Sequence, residues 1–503
     1  MRTAQLGKDC WSKVDSAARK EIKSILSLPT NAAVGYVHGS RKFGNCGVPS
    51  AAEDSDFYLV DSAFKLLTSK DEEVAIQALG QLTRTVRHRL GREPSEGELG
   101  SYLSGSMENE FATSTNLLSN TWTVARKASS RQQVTWSFVD GSPTLSFGDE
   151  LLTATKRRAI LKSFHDRFQL SQTTSLLEHP SQGKVMDCVA MATASTHFLT
   201  EGKYTRFADW RFVHRARLGL VPLNGYKYWA PRPQRLCRKC GKWDETLPHV
   251  LNHYPSYSAA WQMRHNAIVA RVKKAVAFKG TILHENQAIG PDNLRPDLVA
   301  LVDGTTYIID VTIPFENRRE AFFQARQRKI SKYNQLLSHF ASLGATKVSI
   351  VPILVGSLGS WDPDNDAFLK LVATRSYLGL LRKLCVSDCI RWSRDIYVQH
   401  LTGAQQYSAG AVTLHADPAA IEEQVSTQEQ VNAQHSSTSQ QSTPNGDHSQ
   451  QPNSQVSDAP SVEDMTVALC MPTCSQLVEC SAPRDNSCEQ TSPVVGDATT
   501  TDM

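Results

Sequence analysis

Two apolar runs that flank an Asp-Gly pair constrain the fold of this chain more than any other feature. Residues 298–302 read LVALV, Asp303 and Gly304 follow, and residues 305–312 read TTYIIDVT. Asp-Gly between apolar runs is the strongest short-range signal for a two-residue hairpin turn. The sequence therefore predicts an antiparallel β-hairpin whose register is fixed by this turn.

The predicted register places two carboxylates opposite each other. Counting outward from the turn pairs Val302 with Thr305, and the same count pairs Asp297 with Asp310. Opposed Cβ atoms lie about 5 Å apart, and like charges so placed are destabilising. A divalent metal bound by oxygen ligands would offset the repulsion. Asp297 and Asp310 are therefore predicted metal ligands; the alternative is that one Asp ends its strand and faces water.

Charge is unevenly distributed along the 503 residues. Residues 1–403 hold all but one of the 54 Lys and Arg residues but only 37 of the 50 Asp and Glu residues, a balance of +16. Such a basic body indicates a polyanionic partner, with a generic basic surface as the alternative. The sequence has no apolar run of membrane-spanning length and no signal-peptide core, so we expect no membrane and no small-molecule cofactor among its partners.

Helical periodicity dominates the folded part of the chain. It predicts helices near 9–28, 55–118, 149–170, 185–199, 205–218, 256–276, 317–340, 364–374 and 378–393, a strand and loop at 33–49, a hairpin at 134–147 and a buried strand at 347–355. Beyond residue 403, Ser, Thr, Gln and Asn dominate. That segment cannot bury enough apolar surface to offset its ordering entropy, which predicts a disordered acidic tail.

Cysteine and histidine recur at metal-ligand spacing between residues 231 and 255. Cys237 and Cys240 are followed by His249 and His253. Two thiolates and two imidazoles can complete a tetrahedral zinc site, and the short span indicates a knuckle rather than a full finger. The metal would order a region with little core of its own. The alternative is a pair of free thiols and a His253 that caps a helix.

Taken in order, these motifs resemble one family of mobile elements. The resemblance is carried by the Cys/His segment with residues 245–251, then Arg264-His265-Asn266, Arg295-Pro296-Asp297, Asp310 and a basic helix. The family is the site-specific non-LTR retrotransposons that insert into ribosomal RNA genes and carry a restriction-like endonuclease. Residues 206–392 resemble the C-terminal part of their polyprotein. Residues 18–70 resemble, more weakly, the end of their reverse transcriptase at the thumb.

The resemblance implies a mostly α N-terminal half, then a zinc knuckle, an α/β nuclease core of the PD-(D/E)xK type and a disordered C-terminal tail. Its domains would be a thumb-like helical region (1–120), a helical linker with a hairpin (121–230), the knuckle (231–255), the restriction-like endonuclease (256–400) and the tail (404–503). The sequence lacks the Asp-Asp pair that the family's polymerase site requires. We therefore expect a fragment or truncated copy that cannot polymerise DNA alone.

The resemblance also implies site residues. Asp297 and Asp310 would bind catalytic Mg²⁺, with Glu316 as a further candidate ligand. Many such nucleases have a Lys two residues after the second acid, but Thr312 holds that place, so Lys329 and Lys332 of the following helix are the candidates; the alternative is a solvated basic face. Nucleic-acid contacts are expected from the remaining motif residues, Arg264, His265, Arg295, Arg318, Arg319, Arg326, Arg328 and Tyr333.

The implied function is Mg²⁺-dependent nicking of target DNA that primes reverse transcription. A structural Zn²⁺, element RNA as a second partner and nuclear localisation belong to the same expectation. The first alternative is a non-catalytic nucleic-acid-binding remnant, which lysines far from Asp297 would favour. A second alternative is an accessory to a polymerase whose palm lies on another chain.

Overall fold

The computed structural model describes residues 6–112, 118–227 and 229–406. The helices are α1 (Lys8–Ile25), α2 (Val34–His38), α3 (Ala51–Leu67), α4 (Glu72–Leu90), α5 (Glu96–Ser104), α6 (Thr121–Gln132), α7 (Ile160–Glu178), α8 (Gly183–Val189), α9 (Phe207–Arg217), α10 (Arg232–Arg235), α11 (Ser258–Lys279), α12 (Arg318–Tyr333), α13 (Gln335–Ser342), α14 (Asn365–Val372) and α15 (Arg375–Thr402). Within these ranges, no helix combines the length and the apolar character needed to cross a membrane. The predicted tail lies outside the described residues from residue 407 onward.

The strands form two small sheets. They are β1 (Thr135–Val139), β2 (Ser142–Phe147), β3 (Glu150–Leu152), β4 (Thr281–Glu285), β5 (Leu298–Val302), β6 (Thr305–Thr312) and β7 (Val348–Leu354). The first sheet has the order β1-β2-β3 and the second the order β4-β5-β6-β7. In the second sheet β6 and β7 are parallel and the other neighbours are antiparallel. Parallel neighbours need a crossover connection, and α12 and α13 supply it.

The predicted hairpin and its register are confirmed. Val302 pairs with Thr305 and Leu298 with Ile309. Asp303 and Gly304 have φ values of 48° and 75°, and a type I′ turn requires a positive φ at both central residues. The turn chemistry alone therefore fixes which side chains of β5 and β6 face each other.

The four-stranded sheet is covered on both faces. One face packs Leu298, Ala300 and Ile309 against α11, α14 and α15. The other packs Val299 and Ile308 against the helices α12 and α13. Because side chains alternate along a strand, Asp310 emerges on the α12 face together with Ile308.

Two further cores lie outside this sheet. Helices α3 to α6 and the three-stranded sheet enclose Phe57, Trp122 and Leu145. The other core joins the segment after α1, helices α7 to α9, the Cys/His segment and the end of α15, with Leu28 and Ile396 among its members. Since this core draws residues from both ends of the described chain, experiments on the protein should use the whole chain.

Two sequence predictions are wrong. Residues 34–38 form helix α2 instead of a strand; the Ala33 N–H that precedes it donates to the side chain of Gln182 at 2.8 Å. Residues 150–152 form β3 instead of beginning a helix, and α7 starts only at Ile160. The pair Phe147–Glu150 closes a two-residue turn at Gly148-Asp149, a Gly-Asp hairpin signal that the helical pattern obscured.

Candidate functional site

Asp297 and Asp310 lie side by side at the end of the hairpin remote from its turn. Asp310 is 3% exposed and sits in β6; Asp297 immediately precedes β5. The Val311 N–H donates to Asp297 Oδ2 at 2.6 Å, which directs that carboxylate toward β6. Burial, and then the charge of Asp297, raise the pKa of Asp310. The two carboxylates therefore interact electrostatically, as the register predicts.

Two basic side chains of the protein flank the pair. Lys329 Nζ on α12 lies 2.5 Å from Asp310 Oδ2, and His265 Nε2 on α11 lies 3.2 Å from Asp297 Oδ2. Burial lowers the pKa of His265, but the hydrogen bond and the charge of Asp297 outweigh it, so the pKa is raised. Lys329 and a protonated His265 thus offset much of the repulsion between the carboxylates. His265 is a partner of Asp297, a role that the sequence did not indicate.

Tyr333 holds Asp310 in place. Its side chain is fully buried, which rules out the predicted direct contact with nucleic acid. The hydroxyl donates to Asp310 Oδ1 and lies 2.9 Å from the carbonyl oxygen of Arg295. The exposed Lys332 donates to the same hydroxyl at 3.0 Å. Lys329 therefore contacts the carboxylate itself, whereas Lys332 reaches it only through Tyr333.

Burial divides the predicted arginine contacts into two groups. Arg264 is 2% exposed and donates to Ser393 Oγ at 2.8 Å. Arg326 is mostly buried and pairs with Asp362 at 2.6 Å, and Arg318 donates to main-chain oxygens at the end of α7. For these three the prediction is corrected, because their donors bind inside the fold. The exposed members of the set are Arg295, Arg319 and Arg328.

Glu316, the further candidate metal ligand, forms hydrogen bonds inside the fold. Its side chain is fully buried, and Oε1 accepts the N–H of Leu358 at 2.8 Å and that of Ser360 at 3.3 Å. Arg217 donates to the Leu358 carbonyl from the other side at 2.8 Å. Glu316 and Arg217 thus both form hydrogen bonds with the loop after β7, so Glu316 has a structural role here.

Three of the four predicted zinc ligands come together. The side-chain donors of Cys237, Cys240 and His249 lie within 4.8 Å of one another, and Cys240 Sγ is 3.5 Å from His249 Nε2. Donors around a tetrahedral zinc with bonds of about 2.0–2.3 Å lie roughly 3.5–3.8 Å apart, so this set fits zinc. Burial opposes the Cys240 thiolate, but the N–H groups of Lys242 and Trp243 outweigh it and lower the Cys240 pKa. The thiolate is the form that binds metal.

The fourth predicted ligand, His253, does not join this group. Its side chain is exposed, and its Nδ1 faces a main-chain carbonyl at 3.0 Å. Next to Cys237 lies instead His400 of α15, with Nε2 3.9 Å from the sulfur. His400 Nε2 also lies 2.9 Å from Glu245 Oε1, and Nδ1 lies 3.2 Å from the Tyr257 hydroxyl. No local pattern could have indicated His400, which lies 163 residues after Cys237.

Comparison with known proteins agrees with the resemblance read from the motifs. No family model matches the chain. It is 28% identical over 197 residues to a retrovirus-related Pol polyprotein from the type-1 retrotransposable element R2 of Popillia japonica, covering 37% of this chain and 31% of the relative. A second polyprotein of the same description and organism is 25% identical over 203 residues, 39% and 42% of the respective chains. The chain thus spans less than half the length of these relatives. These similarities support a protein derived from a non-LTR retrotransposon.

Proposed function

We propose that this chain carries a Mg²⁺-dependent DNA endonuclease site and nicks target DNA to prime reverse transcription. In this proposal Asp297 and Asp310 hold the metal and Lys329 assists the reaction. The observation that carries it is the contact of Lys329 Nζ with Asp310 Oδ2 at 2.5 Å. A helix lysine thereby reaches Asp310, although Thr312 occupies the usual lysine position. Lysines far from Asp297 would favour a non-catalytic remnant; Lys329 contacts Asp310, the carboxylate that neighbours Asp297.

The surrounding fold supports a nuclease of the PD-(D/E)xK type. Its proposed core is an antiparallel hairpin that bears both acids, followed by a helix and a parallel strand. Both acids lie at the end of the hairpin remote from its turn, where Asp297 contacts α11 and Asp310 contacts α12. Similarity to retrotransposon Pol polyproteins supports nucleic acid as the substrate.

The residues of the site suit this chemistry. Carboxylate oxygens are the donors that Mg²⁺ prefers; when bound, the ion polarises a phosphate oxygen and acidifies water. The Val311 N–H and the Tyr333 hydroxyl orient one carboxylate each. Lys329 is placed to orient water or to stabilise negative charge that develops on the phosphate.

The proposal includes a structural zinc held by Cys237, Cys240 and His249. This metal would order a segment that presents basic side chains to nucleic acid. Target DNA and element RNA are the proposed partners, and the nucleus is the proposed location. Polymerisation is not proposed, because the chain has no Asp-Asp pair.

A non-catalytic nucleic-acid-binding protein is the second candidate. The observation in its favour is that Lys329 contacts Asp310 and His265 contacts Asp297, so each carboxylate has a basic partner within the protein. In that case the four groups would be a structural ion-pair cluster, and the exposed arginines would supply binding without cleavage.

Nicking of supercoiled plasmid by the whole chain in Mg²⁺ separates the two candidates. We expect nicking that Asp297→Ala and Asp310→Ala each abolish. Asp292→Ala, which changes an exposed carboxylate in the preceding loop, is the matched control and should nick like the wild type. Retained DNA binding without nicking would overturn the proposed endonuclease activity and favour the nucleic-acid-binding protein.

Zinc content, measured by mass spectrometry, should fall in Cys240→Ser.

A further inference from the structure

We propose that a groove leading from the Cys/His segment to α12 binds a single-stranded nucleic acid, with bases stacked on Trp243 and Trp229 and phosphates paired with Lys and Arg side chains. This inference rests on the proposed function, since it supplies the path of a strand toward the Asp pair. It also names the substrate form, unpaired bases, which the carboxylate site does not specify.

The groove consists of two adjoining cavities. One has a volume of 510 Å³ and begins at Trp243; the other has a volume of 730 Å³ and extends to α12. Thr246, Pro248 and His253 line both cavities. The two cavities therefore adjoin at these residues, and His249, a candidate zinc ligand, lines the smaller one.

The far end of the groove reaches α12, the helix that carries Lys329. Gln324 and Arg328 of α12 line it there, and residues four apart share one face of a helix. Arg328 is exposed, and the next residue, Lys329, contacts Asp310. A strand that follows the groove therefore arrives at the helix that supplies the lysine of the carboxylate pair.

Two exposed indoles flank the groove: Trp243 lines the smaller cavity, and Trp229 contacts Tyr226 of the larger one. Trp243 is 65% exposed and Trp229 is 66% exposed. Trp229 packs edge-on against Tyr226 with ring centroids 5.9 Å apart, and Tyr226 lines the larger cavity. Single exposed apolar side chains are common, but two large aromatic residues within one short basic segment match the stacking platforms of single-strand-binding proteins.

The charge of the segment complements a phosphate backbone. Residues 226–243 contain six Lys and Arg residues and no Asp or Glu. The exposed ones are Lys227, Arg232, Arg238, Lys239 and Lys242.

Two carboxylates that line the groove neutralise part of this charge, which leaves Lys227, Arg232, Lys239 and Lys242 as the exposed cations of the segment. Asp244 lies 3.6 Å from Arg235, and the buried Glu245 pairs with Arg238 at 2.7 Å. Glu316 is buried and accepts main-chain N–H groups. The larger cavity of the groove is itself lined by the exposed Lys184 and Arg328, which can pair with phosphates.

Unpaired bases are the chemistry that this surface fits. In a duplex the base faces are already stacked and are not accessible to indole rings, whereas single strands expose them. Stacking and phosphate pairing do not involve the 2′-hydroxyl group. Single-stranded DNA and single-stranded RNA of the same sequence should therefore bind comparably.

Fluorescence anisotropy of the whole chain without added Mg²⁺ tests the inference. The probes are labelled oligothymidylate and oligouridylate of about 20 nucleotides, which exceeds a typical site, and a DNA duplex of the same length. Trp243→Ala and Trp229→Ala should each weaken single-strand binding by about 10-fold and leave duplex binding within about twofold. Trp243→Phe should restore most of the loss. Phe207→Ala removes a 71% exposed aromatic residue outside the groove and should change nothing.

The outcomes separate this inference from the proposed function. Unchanged single-strand affinity in both tryptophan variants, or equal losses for single strand and duplex, would overturn the groove. A preference for DNA or RNA above about tenfold would contradict recognition through base faces and phosphates alone. Asp310→Ala should bind like the wild type. If binding depends on the tryptophans but no nicking occurs, only the proposed endonuclease activity is contradicted. If nicking occurs but binding does not depend on the tryptophans, only the proposed groove is contradicted.

Discussion

Lys329 and Lys332 lie three residues apart on α12 but stand in different relations to Asp310. Lys329 contacts the carboxylate at 2.5 Å, whereas Lys332 is exposed and reaches only the Tyr333 hydroxyl. We predict that Lys329→Met lowers the initial nicking rate by about 100-fold or more and Lys332→Met by less than about 10-fold, because in the proposed reaction Lys329 would stabilise charge at the phosphate. Rates at saturating Mg²⁺ measure both. Equal losses would show that the helix acts only through its net charge.

Tyr333 contributes a hydrogen bond to a buried carboxylate. Tyr333→Phe removes the donor to Asp310 Oδ1 without changing the ring, and hydrogen bonds to charged groups contribute about 1.5–3 kcal/mol. We expect a loss of that size in the free energy of urea unfolding. Tyr226→Phe is the matched control: its hydroxyl accepts from Asn31 at the surface, and the expected loss is below about 1 kcal/mol. Equal effects in the two variants would mean that Tyr333 does not hold Asp310.

At the scale of elements, the hairpin turn depends on the backbone conformation of Gly304. Its φ is 75°, and left-handed backbone costs an L-residue about 1–2 kcal/mol. Gly304→Ala should therefore lower the free energy of unfolding by about 1 kcal/mol. Gly80→Ala adds the same methyl group inside α4, where nothing lies within 4 Å, and should stabilise by about 0.5–1 kcal/mol. Effects of the same sign in urea titrations would contradict the left-handed turn.

Glu245 connects the Cys/His segment with α15. It is fully buried and accepts from Arg238 at 2.7 Å and His400 at 2.9 Å. Burial opposes its charge, but these hydrogen bonds outweigh burial and hold its pKa well below the usual value. Glu245→Gln should cost about 2–4 kcal/mol near neutral pH, since it leaves buried donors unpaired. Glu285→Gln, which breaks the exposed ion pair with Lys273, should cost under about 1 kcal/mol.

The depressed pKa of Glu245 gives this prediction a pH signature. Its stabilising contribution is present above the ordinary glutamate value of about 4.5 and is lost as pH falls further toward the folded pKa. The difference between wild type and Glu245→Gln in chemical unfolding should therefore shrink in acid. A difference that is constant down to acid pH would assign the effect to packing.

Across the whole molecule, local rules predicted what lies close in sequence, and packing decided the rest. Turn chemistry gave the register of β5 and β6, and with it the proximity of Asp297 and Asp310. The family resemblance brought Lys329 and Lys332 into consideration but could not separate them. The contact of His265 with Asp297 depends on how α11 packs on the sheet, and that of His400 with Cys237 on the return of α15. Neither contact follows from the spacing of nearby residues, so neither could be predicted from the sequence.

Two histidines in the interior of the fold stay neutral. His214 is 1% exposed, and its Nδ1 lies 2.6 Å from the Tyr36 hydroxyl oxygen. Burial, and then the charge of Arg217, lower the pKa of His214 to about 3. Burial lowers the pKa of His197 to about 4. Both imidazoles are therefore protonated in the folded protein only at a pH well below the pH at which they are protonated in the unfolded chain.

This resistance makes the stability of the protein depend on pH in a predictable direction. Below the ordinary histidine pKa of about 6.5, the two histidines bind protons in the unfolded chain but stay neutral in the folded protein. The free energy of unfolding therefore falls as pH falls toward the pKa values of folded His214 and His197. Each histidine should account for about 2 kcal/mol of the stability lost between pH 7 and pH 5, at 1.36 kcal/mol per unit. Urea unfolding of His214→Gln at both pH values should show a loss smaller by that amount. His88→Gln, at an exposed position of α4, should leave the loss unchanged. A His214→Gln protein that loses as much stability as the wild type would show that water reaches this imidazole in the native state.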